Sequence, residues 1–116
     1  MSDKDTDKDD GPKIFIAVYR PNPGKDGEFR ALLKGHGPLL RRLGLITERP
    51  TIIMQAGDGA YIEVKEWAAS ASARKAHENA EVAALWEAMG KIAEFPGLIG
   101  LEEAKEMFAH FTPVDL

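Results

Sequence analysis

The chain has 116 residues, a formal net charge of −4 and an apolar content of 44%, which fits one domain with a real core. The negative charge argues against nucleic acid or an anionic membrane as the main partner. Because the sequence contains no cysteine, disulfides, thiolate nucleophiles and zinc–thiolate sites are excluded. No apolar run approaches the ~20 residues that span a bilayer, and the acidic N-terminus does not look like a signal peptide. We therefore expect a cytoplasmic protein.

Residues 1–12 form an acidic segment in which aspartate alternates with lysine. The aspartates imitate the start of a calcium loop, which needs glycine at its sixth position and glutamate at its twelfth. This chain has Lys8 and Ile14 at those positions, so the motif fails. The segment also lacks apolar residues whose burial could offset the entropy lost on ordering. We predict a disordered acidic tail, followed by one domain over residues 13–116.

The first predicted elements are a strand and a helix. Residues 14–19, IFIAVY, form a short apolar and β-rich run that predicts a buried strand. Residues 25–43 carry leucine and phenylalanine at helical spacing and stop before Gly44, which predicts a helix. Pro38 lies inside this helix and should kink or interrupt it.

The remaining elements complete a β-α-β-β-α-β order. Residues 51–56 and 61–67 are strand-like runs separated by Gly-Asp-Gly-Ala, a strong hairpin signal. A second helical region covers residues 69–93, a final strand residues 98–101, and a short helix residues 102–108. This order predicts an α+β, ferredoxin-like protomer in which both helices cover one face of an antiparallel sheet.

The predicted strands carry apolar side chains on both faces, unlike those of a sheet that is covered on one side only. Tyr61, Glu63 and Lys65 fall on one face, and we assign the cleaner aliphatic face to the helices. The aliphatic set consists of Ile14, Ile16, Val18, Ile52, Met54, Ala56, Ile62 and Val64. The other face would then be an exposed apolar patch, which marks an interaction site. Since a second copy of the chain is its simplest cover, we expect a homodimer.

The second helical region changes phase in its middle. The apolar stripe of residues 69–77 does not continue into that of residues 82–92. We therefore predict a break near Asn79, whose side chain can cap the second segment. His77 then lies on the inner face at the end of the first segment. It is either an acid, base or ligand in a pocket, or a polar residue hydrogen-bonded at a helix joint.

Two further polar residues fall where apolar ones are expected. His36 occupies the apolar stripe of the first helix, just before Pro38. A buried polar group must be satisfied or face a cavity, so His36 either lines a pocket or repairs the backbone near the proline. Glu66 shares the strand face of Ile62 and Val64 and should be partly buried, with an imidazole as its natural partner. Such a pair could transfer protons or be a structural ion pair.

These patterns define the candidate site. The candidate catalytic residues are His77, His36 and Glu66, and the candidate substrate-binding residues are Trp86, Trp67, Tyr61 and Glu63. Burial tendencies favour core and interface roles for the two tryptophans over substrate contact. Motifs for nucleotides, phosphate loops, nucleophile elbows and zinc proteases are absent from the sequence. Three widely separated histidines are a weak metal signal, and we predict neither a metal nor a cofactor.

Three stretches are similar to a known family: EVKEW at residues 63–67, ARKAH at residues 73–77 and EVAALW at residues 81–86. They resemble the antibiotic-biosynthesis monooxygenase-like proteins of the dimeric α/β barrel superfamily. The resemblance implies a ferredoxin-like protomer whose sheet packs on that of its twin, with a pocket between sheet and helices. Members include cofactor-free oxygenases of polycyclic phenols, haem degraders, small-molecule isomerases and stress-responsive proteins.

The resemblance also bears on chemistry. His77 stands where haem-degrading relatives carry their iron-ligating histidine, but those relatives also need an asparagine on the first strand. Residues 14–19 contain none, which disfavours haem degradation. A cofactor-free oxygenase would use the electron-rich ring of its substrate, while the protein supplies a base and a dry pocket. His77 or His36, oriented by Glu66, is the implied base.

Three functions remain open at this point. The first is a small dimeric barrel protein that binds an apolar or aromatic small molecule, as a cofactor-independent monooxygenase or isomerase. The second is a non-catalytic stress-response or ligand-binding module with a filled core, and the third is a structural dimerisation domain. They differ in whether an open cavity exists that His36, His77 or Glu66 reaches.

Overall fold

The computed structural model describes residues 11–116, so the predicted tail of residues 1–12 falls almost entirely outside the described residues. The described part is an α+β domain with a five-stranded antiparallel sheet and three α-helices. The strands are β1 (Lys13–Pro21), β2 (Ile52–Gln55), β3 (Tyr61–Trp67), β4 (Ala93–Glu94) and β5 (Thr112–Pro113). The α-helices are α1 (Asp26–Arg42), α2 (Ser72–Glu78) and α3 (Ala80–Ile92).

The sheet has the strand order β4-β1-β3-β2-β5, and each neighbouring pair is antiparallel. In the central pair, Ala17 of β1 lies opposite Glu63 of β3, and Phe15 lies opposite Lys65. Strands β2 and β3 form the predicted hairpin, and Gly59 in its turn has a φ of 96°, a conformation that glycine adopts without strain. Strand β5 adds an edge that the sequence pattern did not indicate.

Helix α1 confirms the predicted first helix, but the predicted interruption at Pro38 is wrong, because the helix continues through it to Arg42. Proline removes the hydrogen bond that would reach the carbonyl of Lys34. Both Pro38 and Lys34 are exposed, so water can reach that carbonyl. The helix therefore tolerates the proline, and its buried face is continuous.

The second helical region is divided as predicted, since α2 ends at Glu78 and α3 begins at Ala80. Asn79 between them is extended, with φ −87° and ψ 125°. Its side-chain oxygen accepts hydrogen bonds from the backbone N–H groups of Glu81 and Val82, at 2.9 and 3.0 Å. The cap satisfies donors that the start of a helix leaves unpaired. The two segments can therefore take different directions over the sheet.

The predicted strand over residues 98–101 is wrong. The strand that pairs with β1 is β4, which follows α3 directly and lies opposite Arg20 and Pro21. Gly97 then turns the chain with a φ of 74°, and Leu98–Gly100 forms a 3₁₀ turn. The predicted helix over residues 102–108 is only a 3₁₀ turn at Glu102–Lys105.

The assignment of the sheet faces was also wrong, because it was reversed. The helices cover the face of Tyr19 and Tyr61, which pack with Phe29, Leu33 and Met89 in a buried cluster. Glu63 and Lys65 share this face and are 0% and 3% exposed. Alternation along a strand gives two sets of residues but does not say which set the helices cover.

The aliphatic face is covered only at one end. Leu101, from the segment after β4, packs there on Val18 and Ile62. The other end is open, because the exposed fractions are 57% for Ile14, 47% for Ile16 and 56% for Ile52. The uncovered end, which we call the open aliphatic face, is defined by these three isoleucines.

Candidate functional site

A cavity of about 240 Å³ lies between the sheet and the helices. Its walls are mostly aromatic, and we call it the aromatic cavity; they are formed by Phe15, Ala17, Tyr19, His36, His77, Trp86 and Phe95. Three of these are alternate residues of β1, which therefore point to one face. The others come from the three helices and from the chain just after β4. All three α-helices thus contribute to the cavity.

His36 of α1 is buried in the cavity wall, with 2% of the residue exposed. Its Nε2 accepts a hydrogen bond of 2.8 Å from the indole Nε1–H of Trp86. Because an indole N–H can only donate, the ring proton of His36 belongs on Nδ1. That nitrogen lies 3.0 Å from the Glu63 carboxylate, to which it donates. His36 is therefore oriented by Glu63 and has both ring nitrogens engaged.

Glu63 is the centre of this buried polar group. Its carboxylate accepts hydrogen bonds from His36 and from the Tyr19 hydroxyl, at 2.7 Å for the latter, and it pairs with the Lys65 ammonium. Burial alone would raise the pKa of Glu63. The hydrogen bond from His36, the positive charge of its ring when protonated and then the charge of Lys65 oppose this, and the pKa falls to about 2. Glu63 is thus an anion throughout the neutral range.

The other members of the group remain hydrogen-bond donors. Burial and the neighbouring Glu63 carboxylate raise the pKa of Tyr19 far above its ordinary value, so its hydroxyl keeps its proton. Burial lowers the pKa of Lys65, while Glu63 acts in the opposite direction and favours its charged form. The four groups satisfy one another, which is what polar groups require in a protein interior.

His77, in the last turn of α2, borders the same cavity from its outer side. The residue is exposed, and its ring meets the Trp86 indole edge-on, with the ring centroids 4.8 Å apart. The structure therefore brings His36, His77 and Trp86 together at one cavity, as three of the predicted site residues.

Glu66 lies elsewhere, and the predicted pairing of Glu66 with a histidine is wrong. Its carboxylate accepts a hydrogen bond of 2.9 Å from the Thr47 hydroxyl and lies 3.0 Å from the Arg49 guanidinium. These hydrogen bonds lower the pKa of Glu66. Glu66 sits one position from Lys65 along β3, so its side chain points away from the helices and does not border the aromatic cavity.

Trp67 and Tyr61 also lie outside the walls of the cavity. Trp67 stacks on Phe15, with ring centroids 4.3 Å apart, and so supports one wall from behind. Tyr61 is fully buried, and its hydroxyl donates a hydrogen bond of 2.6 Å to Asp26. Glu63 reaches the cavity only through the residues that it orients, Tyr19 and His36.

Sequence reasoning missed the roles of Tyr19 and Lys65 and the partnership of Glu63 with His36. The available signal was the alternation along β3, which puts Glu63 and Lys65 on the face of Tyr61. To identify them as buried, one would also have to know which face of the sheet the helices cover. A carboxylate, an ammonium and an imidazole that are buried together are expected to pair.

A second cavity of about 330 Å³ has Lys65 of the buried polar group in its wall. It is lined by cationic side chains of Lys34, Arg41 and Lys65 and by residues near the C-terminus, including Val114 and Asp115. Lys65 lines this cavity while Tyr19 and His36 line the aromatic one, so the buried polar group contributes to the walls of both.

Among residues 11–116, we find no group of three or more histidine, aspartate or glutamate side chains that could hold a metal ion. In the same range, the helices lack the length and apolar character needed to cross a membrane. Comparison with protein-family models, curated proteins and solved structures finds no match to this chain.

Proposed function

We propose that this chain binds a small apolar or aromatic molecule in the aromatic cavity. The observation that carries the proposal is the cavity itself: about 240 Å³, with phenyl, phenol, indole and imidazole rings in its walls. An engineered apolar cavity of roughly 150 Å³ is known to bind benzene. The larger volume here suits a molecule with two fused rings.

The two buried polar groups of the wall, Tyr19 and His36, support an apolar ligand. The Tyr19 hydroxyl and the His36 Nδ1–H both point to Glu63, and the His36 Nε2 is occupied by Trp86. In this arrangement these groups offer the cavity no unsatisfied donor or acceptor. A ligand without polar groups therefore leaves none of them unpaired, which removes the usual cost of burying polar atoms.

Turnover as a cofactor-independent monooxygenase or isomerase is part of this proposal. Both reactions begin when a base takes a proton from the substrate, and His36 held by Glu63 is such a base in its neutral form. His77, at the outer side of the cavity, is the second candidate acid or base. Glu66, which we expected to orient the base, is replaced in this scheme by Glu63.

A binding module without turnover is the second candidate. One observation favours it: the Trp86 indole occupies the His36 nitrogen that would have to accept a proton. Aerobic and anaerobic incubation with naphthols distinguishes the two candidates. Consumption of the naphthol, lost on substitution of His36→Gln while binding persists, supports the enzyme. Tight binding without consumption supports the module.

We also propose that the protomer is ferredoxin-like and that two copies pair through the open aliphatic face. The β-α-β-β-α-β order and the antiparallel strand order support the first point. The second rests on three isoleucines that are about half exposed on one surface of a sheet, since burying them against a second copy removes apolar area from water. The pairing of two such sheets would form the barrel that the resemblance implies.

Ligand binding is tested by isothermal titration with naphthalene derivatives. Ala17→Leu fills part of the cavity from β1 and should weaken binding at least tenfold, because the ligand loses its space. Ala83→Leu is the matched control, since Ala83 is exposed on α3. The proposal is wrong if wild type binds none of the compounds, or if Ala17→Leu binds them as tightly as wild type.

Pairing is tested by sedimentation equilibrium. Wild type should sediment as a dimer and Ile16→Lys as a monomer, because the new charge would be buried in the interface. Ala83→Lys adds the same charge on the helical side and should remain dimeric. A wild type that is still monomeric at roughly 100 μM would contradict this proposal, because a pair with a micromolar Kd is mostly dimeric at that concentration.

A further inference from the structure

The hydrogen bond between Trp86 and His36 occupies Nε2, the His36 nitrogen that could act as a base in the aromatic cavity. Glu63 fixes the His36 proton on Nδ1, so Nε2 presents a lone pair, and the indole N–H of Trp86 covers it at 2.8 Å. Without this indole, Nε2 would be an oriented acceptor in the wall of an apolar cavity. Trp86 therefore acts as a cap on a group that is otherwise prepared for hydrogen bonding.

The surroundings of Trp86 allow the cap to move. Its side chain is only partly buried, one of its sides borders the open cavity, and another meets the exposed His77 ring. Moving the indole breaks one hydrogen bond and gives up part of its packing against the two neighbouring hydrophobic clusters, but Trp86 lies on α3 and is not part of the sheet. His36 cannot follow, because it is held by Glu63 and is almost fully buried.

The chemistry of Nε2 decides which molecules can take the place of the indole. A molecule without a donor would leave Nε2 buried and unpaired if it displaced Trp86, which is costly. A molecule with an O–H group would restore the lost hydrogen bond with a donor of its own. The aromatic walls select for a ring on which that hydroxyl is carried.

We propose that Trp86 is a displaceable cap on His36, and that the cavity selects hydroxyl-bearing aromatic molecules, whose O–H replaces the indole N–H at Nε2. This inference rests on the proposed binding function and names its ligand class. Once the indole has moved, the proton of that hydroxyl can pass from the ligand oxygen to His36 Nε2. The Glu63 carboxylate then stabilises the imidazolium that forms.

The test compares 1-naphthol with 1-methoxynaphthalene, which keeps the ring but cannot donate. Wild type should bind 1-naphthol tighter by at most roughly twofold, because the new O–H bond to Nε2 replaces the Trp86 bond that breaks and adds no further one. In proton–nitrogen correlation spectra, 1-naphthol should shift the indole N–H signal of Trp86 and leave that of Trp67 in place. 1-Methoxynaphthalene cannot replace the hydrogen bond between Trp86 and His36. Neither indole signal should therefore show the shift that accompanies loss of that bond.

The two tryptophans offer a matched pair of variants. Trp86→Phe keeps an aromatic ring but removes the indole N–H, so the preference for 1-naphthol should widen by roughly another twofold to tenfold. Trp67→Phe, at the ring that stacks on Phe15, should leave the preference unchanged. The wild-type spectra keep the test decisive even if one variant folds poorly.

The outcomes separate this inference from the proposed function. If both compounds bind equally and the Trp86 signal does not change, the cap is wrong while the cavity remains a binding site. If neither compound binds, the proposed function fails and the cap falls with it. A preference for 1-naphthol that Trp86→Phe abolishes also contradicts the cap, since it would show that the indole itself contacts the hydroxyl.

Discussion

The two faces of the central sheet differ in a way that reverses the usual expectation. The face under the helices contains a carboxylate, an ammonium and a phenol, in Glu63, Lys65 and Tyr19, all nearly inaccessible. The other face carries Ile14, Ile16 and Ile52, each about half exposed. Charged groups are thus inside and isoleucines outside.

The difference shows that local composition does not determine which surface is buried. The charged groups can be buried because they satisfy one another and are joined by His36 from α1. The isoleucines need no internal partner to remain exposed in one protomer, and their clustering marks a surface for contact. Substitutions in the buried charged group and substitutions in the isoleucine cluster should therefore change the stability of the protein to very different extents.

Removal of the central carboxylate should have the largest effect. In Glu63→Ala, the Lys65 charge and the His36 Nδ1–H lose their acceptor inside the protein. We expect the free energy of unfolding to fall by about 3–5 kcal/mol, measured by urea denaturation. Glu87→Ala, at an exposed position of α3, should change it by less than about 0.5 kcal/mol. A loss below about 1 kcal/mol in Glu63→Ala would show that the buried group contributes little.

Acid should act through the same carboxylate. The pKa of Glu63 lies at about 2 in the folded protein against 4.5 ordinarily, so the unfolded chain takes up the proton first as the pH falls. The stabilisation is present above pH 4.5 and disappears towards pH 2, with a loss on the order of 3 kcal/mol. Denaturation at a series of pH values measures it. Glu63→Gln should flatten this part of the profile, and parallel profiles would contradict the assignment.

Removal of the cap at the helix joint should have a moderate effect on the free energy of unfolding. Asn79→Ala removes the acceptor for two backbone N–H groups at the start of α3 and should cost about 1 kcal/mol of unfolding free energy. Asn79→Asp keeps an acceptor at the same place and should retain most of the stability. Equal losses in the two variants would mean that the cap does not stabilise α3.

Substitutions in the open aliphatic face should have the smallest effect on the free energy of unfolding of a single protomer. At protein concentrations low enough to dissociate a dimer, Ile14→Ser should change the unfolding free energy by less than about 0.5 kcal/mol. By contrast, Leu33→Ala, within the cluster under the helices, should cost about 2–5 kcal/mol. At higher concentration the wild-type melting temperature should rise, because association stabilises the folded state. An unchanging melting temperature would argue against pairing.

Much of the fold could be predicted because its signals are local. The hairpin turn, the first helix and the break at Asn79 follow from glycine conformation, helical spacing and side-chain capping within a few residues. The errors arose where the outcome depended on distant parts of the chain. The strand beside β1 is β4 rather than residues 98–101, since the chain directly after α3 reaches the edge of β1 first.

The site was predicted only in part, for the same reason. His36 and His77 were identified by their positions on helical stripes, and both border the aromatic cavity. The partner of His36 was not found, because Glu63 and Glu66 are equally plausible acids on β3 when the covered face is unknown. Glu66 meets Thr47 and Arg49 instead.

The sequence by itself determined where the first three strands and the three α-helices lie, that these strands are apolar on both faces, and that two histidines occupy apolar stripes. Only the tertiary structure decided which face the helices cover, and hence that Glu63 rather than Glu66 orients His36. The physical reason is that alternation along a strand separates two sets of side chains but is symmetric between the faces. The packing of the helices, many residues away in the chain, breaks that symmetry.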